Sequence, residues 1–219
     1  MKEKELENKV VSGGVELTLP RNMRLEDFEA LYPSTLEFQH VVNINLRNPE
    51  GRLERLDELA RVGGDTAVHY MLASAASSGW GNVVDHMVKN YSIPYQQSSN
   101  AMQLAAGLGH TQVVEVFIER RIPFSATVLA IAASQGQLDV VEQLLEHGAS
   151  PAAGINAAAM SGQIEVVERL LKAGASIDAA MERGSETVKD FCKAYRLREQ
   201  LNQMAEKVQV NKKPTVRKI

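Results

Sequence analysis

A single cysteine, Cys192, stands in a chain of 219 residues. It allows no intrachain disulfide and no zinc–cysteine module, and it fits a reducing, cytoplasmic compartment. No apolar run approaches the roughly 20 residues a membrane span requires. The opening MKEKELENKVV has charge with no apolar stretch behind it, so it does not read as a secretory leader. Neither sign of charge dominates: 24 Lys plus Arg against 27 Asp plus Glu leave a net charge of -3. Without a basic field, no nucleic-acid partner is expected. The glycine pairs at 13–14 and 63–64 lead into neither Gly-Lys-Ser/Thr nor GxGxxG, so no phosphate-cradling loop is present. None of the five histidines (His40, His69, His86, His110, His147) lies in HExxH or beside a cysteine at metal-ligand spacing. No cofactor and no metal are expected. Aromatic residues are scarce at 5%, whereas the apolar content of 44% suffices for a folded chain.

What the sequence does have is an internal repeat. Four segments align without gaps: LASAASSGWGNVVDHMV (72–88), MQLAAGLGHTQVVEVFI (102–118), LAIAASQGQLDVVEQLL (129–145) and INAAAMSGQIEVVERLL (155–171). Their glycines, Gly79, Gly109, Gly136 and Gly162, are 30, 27 and 26 residues apart, and each is followed in register by a valine pair. A degenerate fifth copy, IDAAMERGSETVKDF (177–191), carries Gly184 and Val188.

One copy explains the design. A short alanine-rich helix comes first, and its alanine pair lets a neighbouring backbone approach closely. Glycine ends that helix because it takes left-handed torsions without a Cβ clash. A second helix follows, with Leu138, Val141, Leu144 and Leu145 on one face. Asp139 and Glu142, and likewise Glu165 and Glu168, fall in or near the first turn, where the helix dipole favours acid. Such a helix–turn–helix is too small to bury its own apolar face, so stacked copies must supply the core.

The pattern resembles the ankyrin repeat over about residues 68–191, carried by AAGLGHTQVVEVFIERR, AASQGQLDVVEQLLEHGAS and AAMSGQIEVVERLLKAGAS. The resemblance implies an all-α solenoid of stacked helix-turn-helix units. The family's TPLH box is missing. Its place is taken by Asn100-Ala101-Met102-Gln103, Thr127-Val128-Leu129-Ala130 and Ala153-Gly154-Ile155-Asn156. The hydrogen bonds that this box makes between neighbouring repeats are therefore expected to be lost, and the short period implies trimmed fingers between repeats.

The flanks do not repeat. Alternating Val15, Leu17 and Leu19 predict a strand within 10–20. A helix is expected over 25–32, stopped near Pro33, and a second strand over 40–46. Residues 1–53 thus read as a small irregular cap. Leu53, Leu56 and Leu59 mark a capping helix ended by Gly63-Gly64. The stack is expected over 54–191, with the fifth copy as its C-terminal cap, and a C-terminal helix with a basic tail over 192–219. That helix, 191–208, is amphipathic with apolar Phe191, Tyr195, Leu197, Leu201 and Met204. The tail residues Lys207, Lys212, Lys213, Arg217 and Lys218 read as a solvated terminus. Contact with phospholipid or RNA is the alternative for them.

The resemblance places a partner-binding surface on the concave face, at the two residues between the alanine pair and the glycine. These are Ser77 and Ser78, Gly107 and Leu108, Ser134 and Gln135, Met160 and Ser161, then Glu182 and Arg183. The finger residues Tyr95, Gln96 and Phe124 join them, because aromatic side chains often anchor interfaces. Tyr95 and Phe124 packing the finger bases is the competing reading. His110 and His147, at helix boundaries, read as structural groups capping carbonyls. Cys192, beside Phe191, reads as a small hydrophobe and not as a nucleophile. No catalytic constellation emerges. The expectation is a monomeric, non-enzymatic module that binds a partner protein as adaptor, inhibitor or secreted effector. In the last case its compartment would be a host cytoplasm. The alternative is an enzyme, or a regulatory subunit of one, with a site in the N-terminal flank near His40.

Overall fold

A computed structural model of the protein describes residues 8–12, 15–19 and 53–211. The first two segments pair as an antiparallel hairpin, β1 (Asn8–Ser12) with β2 (Val15–Leu19), Val10 opposite Leu17. β2 is the strand read from the alternation, and β1 is its unforeseen partner. The helix expected over 25–32, the strand over 40–46 and His40 lie outside the described residues.

From Leu53 onward the described residues are helical pairs. They run α1 (Leu53–Ser77), α2 (Gly81–Asn90), α3 (Tyr95–Leu108), α4 (Thr111–Glu119), α5 (Ala126–Ser134), α6 (Leu138–Glu146), α7 (Ala152–Met160), α8 (Ile164–Lys172), α9 (Ile177–Arg183) and α10 (Glu186–Asn211). Odd-numbered helices are the inner layer and pack on one another in sequence order; even-numbered helices form the outer layer. The loops between copies are short, residues 91–94, 120–125, 147–151 and 173–176, so the fingers are trimmed as the period required.

One continuous core runs through the stack from Leu56 to Cys192. The alanine pairs of the inner helices, from Ala75 and Ala76 to Ala158 and Ala159, are fully buried. So are the valine pair in each of the first four outer helices and the residue one turn after it: Met87, Phe117, Leu144 and Leu170. Each such side chain contributes roughly 1.5–3 kcal/mol on burial, and none could be buried by its own copy. Gly154 shows how closely the inner layer packs. A Cβ there would sit 3.2 Å from both Ala133 Cβ and Leu129 Cγ.

The capping helix ends at the Gly63-Gly64 pair: α1 is two helices that meet at Gly64 (φ +58°, ψ -151°) without an intervening loop. Two local outcomes differ from the expectation. Gly184 aligns with the repeat glycines but has φ -72°, not a left-handed angle. It is small for another reason: a Cβ there would meet Ala180 O at 2.6 Å and Val188 Cγ1 at 2.8 Å. The boundary expected at 191 falls inside α10, because the outer helix of the fifth copy continues unbroken into the C-terminal helix.

Candidate functional site

The face that could hold a partner is set by how the copies lock together. Each of the first four outer helices has an N-cap residue, Trp80, His110, Gln137 or Gln163, whose side chain does not cap its own helix. In three copies it reaches back to the preceding one instead. His110 Nε2 donates to Ser77 O at 2.9 Å, Gln137 Nε2 to Gly107 O at 3.1 Å and Gln163 Nε2 to Ser134 O at 3.3 Å. These acceptors are carbonyls of the last inner-helix turn, which have no partner within the helix. The ladder ties neighbouring repeats where the TPLH box is missing, so the expected loss of inter-repeat hydrogen bonds is made good one residue past the turn glycine.

On the opposite side, ion pairs cross between copies: Arg120 with Asp85, Arg169 with Glu142 at 2.8 Å, and Arg198 with Glu168 at 3.3 Å. Glu142 and Glu168, read from sequence as helix-dipole partners, hold the next copy instead. Lys172 and Arg198 keep the Glu168 carboxyl below its ordinary range.

The inner-helix residues sort as follows. Leu108 is 53% exposed and Met160 63% exposed, while Ser78, Gln135, Ser161, Glu182 and Arg183 are also open to solvent. Ser77 and Ser134 are half-buried and turn their hydroxyls onto their own helices, at Ser74 O and Ile131 O. They are therefore less available to a guest. Gly107 lies against Ile131, with a built Cβ only 2.9 Å from Ile131 Cγ2. Tyr95 is 51% exposed, yet it stands seven residues before buried Met102 and so shares that azimuth of α3, not the azimuth of Leu108. Gln96 is exposed and donates to Asn100 Oδ1 at 2.9 Å. Phe124 is half-buried against the core, packing a finger base. Leu104, 45% exposed, was missed in the sequence. It precedes the alanine pair and lies one turn before Leu108, a spacing that puts both on one stripe.

Against known families, the chain matches a model of three ankyrin repeats over residues 70–155 and a single ankyrin repeat over 155–182. It belongs to the ankyrin repeat family. No curated protein matches it.

The other candidate chemistry in this ankyrin repeat protein sits outside the inner face. His86 Nε2 bonds Asp57 Oδ1 at 2.8 Å, Asn90 Nδ2 donates to His86 O at 2.9 Å, and the Tyr91 hydroxyl donates to the same Asp57 oxygen. The cluster clips the capping part of α1 to the first outer helix. Burial, then the Asp57 hydrogen bond and charge, push the Tyr91 hydroxyl far up, so it stays protonated. His147 Nδ1 meets Gln143 O at 2.8 Å, the carbonyl-capping role expected of it. Among the described residues no group of three or more His, Cys, Asp or Glu could hold a metal ion. No helix among them is long and apolar enough to cross a membrane. A cavity of about 230 Å³ beside the turn of the third copy is lined by Gly109, Gly136 and the first turn of α6, with Asp139 among its walls.

Cys192 is fully buried, and burial pushes its thiol up while the Arg196 charge partly opposes this. Only the thiolate reacts. Native Cys192 is therefore expected to resist a chromogenic disulfide reagent at pH 8 and to react at once in 6 M guanidinium. Fast stoichiometric labelling of the native chain would reopen its reading as a nucleophile.

Proposed function

We propose that the inner face of this protein holds a segment of a partner protein, as an adaptor, an inhibitor or a secreted effector acting in a host cytoplasm. Ankyrin repeats are in general protein–protein interaction modules, and a non-catalytic, cytoplasmic role goes with that reading. One observation carries it. Leu104, Leu108 and Met160 are each 45–63% exposed on α3 and α7, whose other exposed side chains, Tyr95, Gln96, Asn100, Ala152 and Asn156, are uncharged. Isolated exposed leucines are ordinary, but a neutral polar field around an apolar row is the composition of an interface core with its rim. The guest is an apolar-faced segment, because the row has little charge to read; Glu182 and Arg183 come only at its C-terminal end.

The test compares pull-downs by the native chain and by Leu108→Asp with Met160→Asp. Both side chains are exposed, so circular dichroism and the unfolding midpoint should stay unchanged. Recovery of the bound protein should fall at least tenfold. A partner recovered equally well by the double variant would rule out this face.

A further inference from the structure

Helix α10 outlasts the stack it caps. Val188 and Cys192 are buried, Phe191 and Tyr195 are half-buried, and almost every described side chain beyond them is exposed. The helical arm from 196 to 211 is thus a projection of about 24 Å at the standard rise. A free helix of that length is marginal in water.

The arm is apolar on one narrow line. Leu197 and Leu201 are each 57% exposed and Met204 62%, and Ala194 is exposed one turn below them. Their spacings of three, four and three are those of alternating a and d heptad positions. By helical phase the line lies on the far side of α10 from Val188, Cys192 and Tyr195, so the stack does not cover it. The flanking e and g positions within the line are Lys193, Arg198, Gln200, Ala205 and Lys207, with no acid among them. Lys193 pairs with Asp190 at the base of the line, and Arg198 with Glu168 on the stack. The acids of the arm, Glu199 and Glu206, lie on the opposite side of the helix.

We propose that the Ala194–Leu197–Leu201–Met204 line docks an acidic amphipathic helix of a partner protein as a short coiled coil. Three alternatives for what covers it can be weighed on the same residues. A second copy would bring basic flank against basic flank in either orientation, and like charges at e and g oppose pairing. A bilayer needs a wider apolar arc with aromatic residues, whereas this is a seam of a and d positions alone, edged by charge and glutamine. An acidic helix answers both features: leucines for the seam, and carboxylates for Lys207 and, by exchange with their solvent-exposed partners on this chain, for Lys193 and Arg198. The surface is separate from the inner face and does not depend on it.

The probe is a fluorescent peptide of about three heptads with leucine at a and d and glutamate at e and g, titrated with the full chain and read by anisotropy. Saturable binding is expected, weakening as salt rises, with little for the matched peptide bearing lysine at e and g. Leu201→Ser should weaken it at least tenfold while the unfolding midpoint holds, because the side chain is exposed. Leu108→Asp should leave it unchanged, and loss there would place the peptide on the inner face and overturn the proposal. Equal binding of the lysine peptide, or no effect of Leu201→Ser, would overturn it too. So would sedimentation showing a dimer that Leu201→Ser dissolves, or binding of phosphatidylserine vesicles lost in the same variant.

Discussion

Replacing Phe117 by alanine is expected to cost about 3–5 kcal/mol, the range for deleting a large buried aromatic side chain. Phe117 is fully buried in α4, at the register position filled by Met87, Leu144 and Leu170 in the other copies. Among the described residues it is the largest fully buried side chain. Alanine would leave a cavity bounded by short helices that are held in place mainly by their neighbours, and α4 packs between α2 and α6. A whole domain typically has about 5–15 kcal/mol of stability, so this one change should remove a large share. Its effect should also spread. In a stack each copy touches only the next, and a weak second copy uncouples the capping part of α1 and the first copy from the rest. A urea titration followed at 222 nm should show an earlier and broader transition than the native chain. Phe117→Leu inserts the residue native to the third and fourth copies and should cost less than about 1.5 kcal/mol. An alanine variant within 1 kcal/mol of the native chain would mean that the stack does not depend on this layer.

The stack was legible because its signals are local and repeated. Alanine pair, glycine and valine pair recur in one register, and each sets a small length of chain by its own chemistry. The C-terminal helix was legible as amphipathic, but the sequence reading joined Phe191 and Tyr195, which face the stack, with Leu197, Leu201 and Met204, which do not. Three things were not, because each depends on packing and not on residue type. Gly184 looks like its counterparts in sequence, but its backbone is extended and its smallness answers to Ala180 and Val188, which a Cβ would strike. Glu142 and Glu168 satisfy a local rule for helix starts, yet an arginine 27 or 30 residues later in the chain takes them. On the inner face, Leu104 escaped notice because it stands before the alanine pair and not after it. Tyr95 and Phe124 stood out by rarity, whereas helical phase and burial put them outside the Leu104–Leu108 stripe. Residue type found the helices; only phase and neighbour contact could sort exposed from buried.

Gly109→Ala is expected to cost about 2–3 kcal/mol, more than the same change at Gly148. Both glycines have left-handed backbones, φ +79° and +86°. Alanine in that conformation costs roughly 1–2 kcal/mol at either site. Around Gly148 nothing lies within 4 Å of a built Cβ, so strain is the whole effect there. At Gly109 the new methyl group would come within 2.5 Å of Gln137 Oε1. The glutamine is flexible and will swing away, but in doing so it releases Gly107 O, the rung that joins the second and third copies. A hydrogen bond of that kind contributes about 0.5–1.5 kcal/mol. The two parts can be separated by a double-mutant cycle. In a Gln137→Ala background the rung is already gone and the collision is removed, so Gly109→Ala should cost only the strain seen at Gly148. The coupling between the two sites should then be about 0.5–1.5 kcal/mol. Equal costs for Gly109→Ala and Gly148→Ala, or a cycle with no coupling, would mean that the residue after the turn glycine does not stand in for the missing TPLH contacts. If the coupling appears, the glycine serves two copies at once: it turns its own chain, and it leaves room for the next copy to take hold.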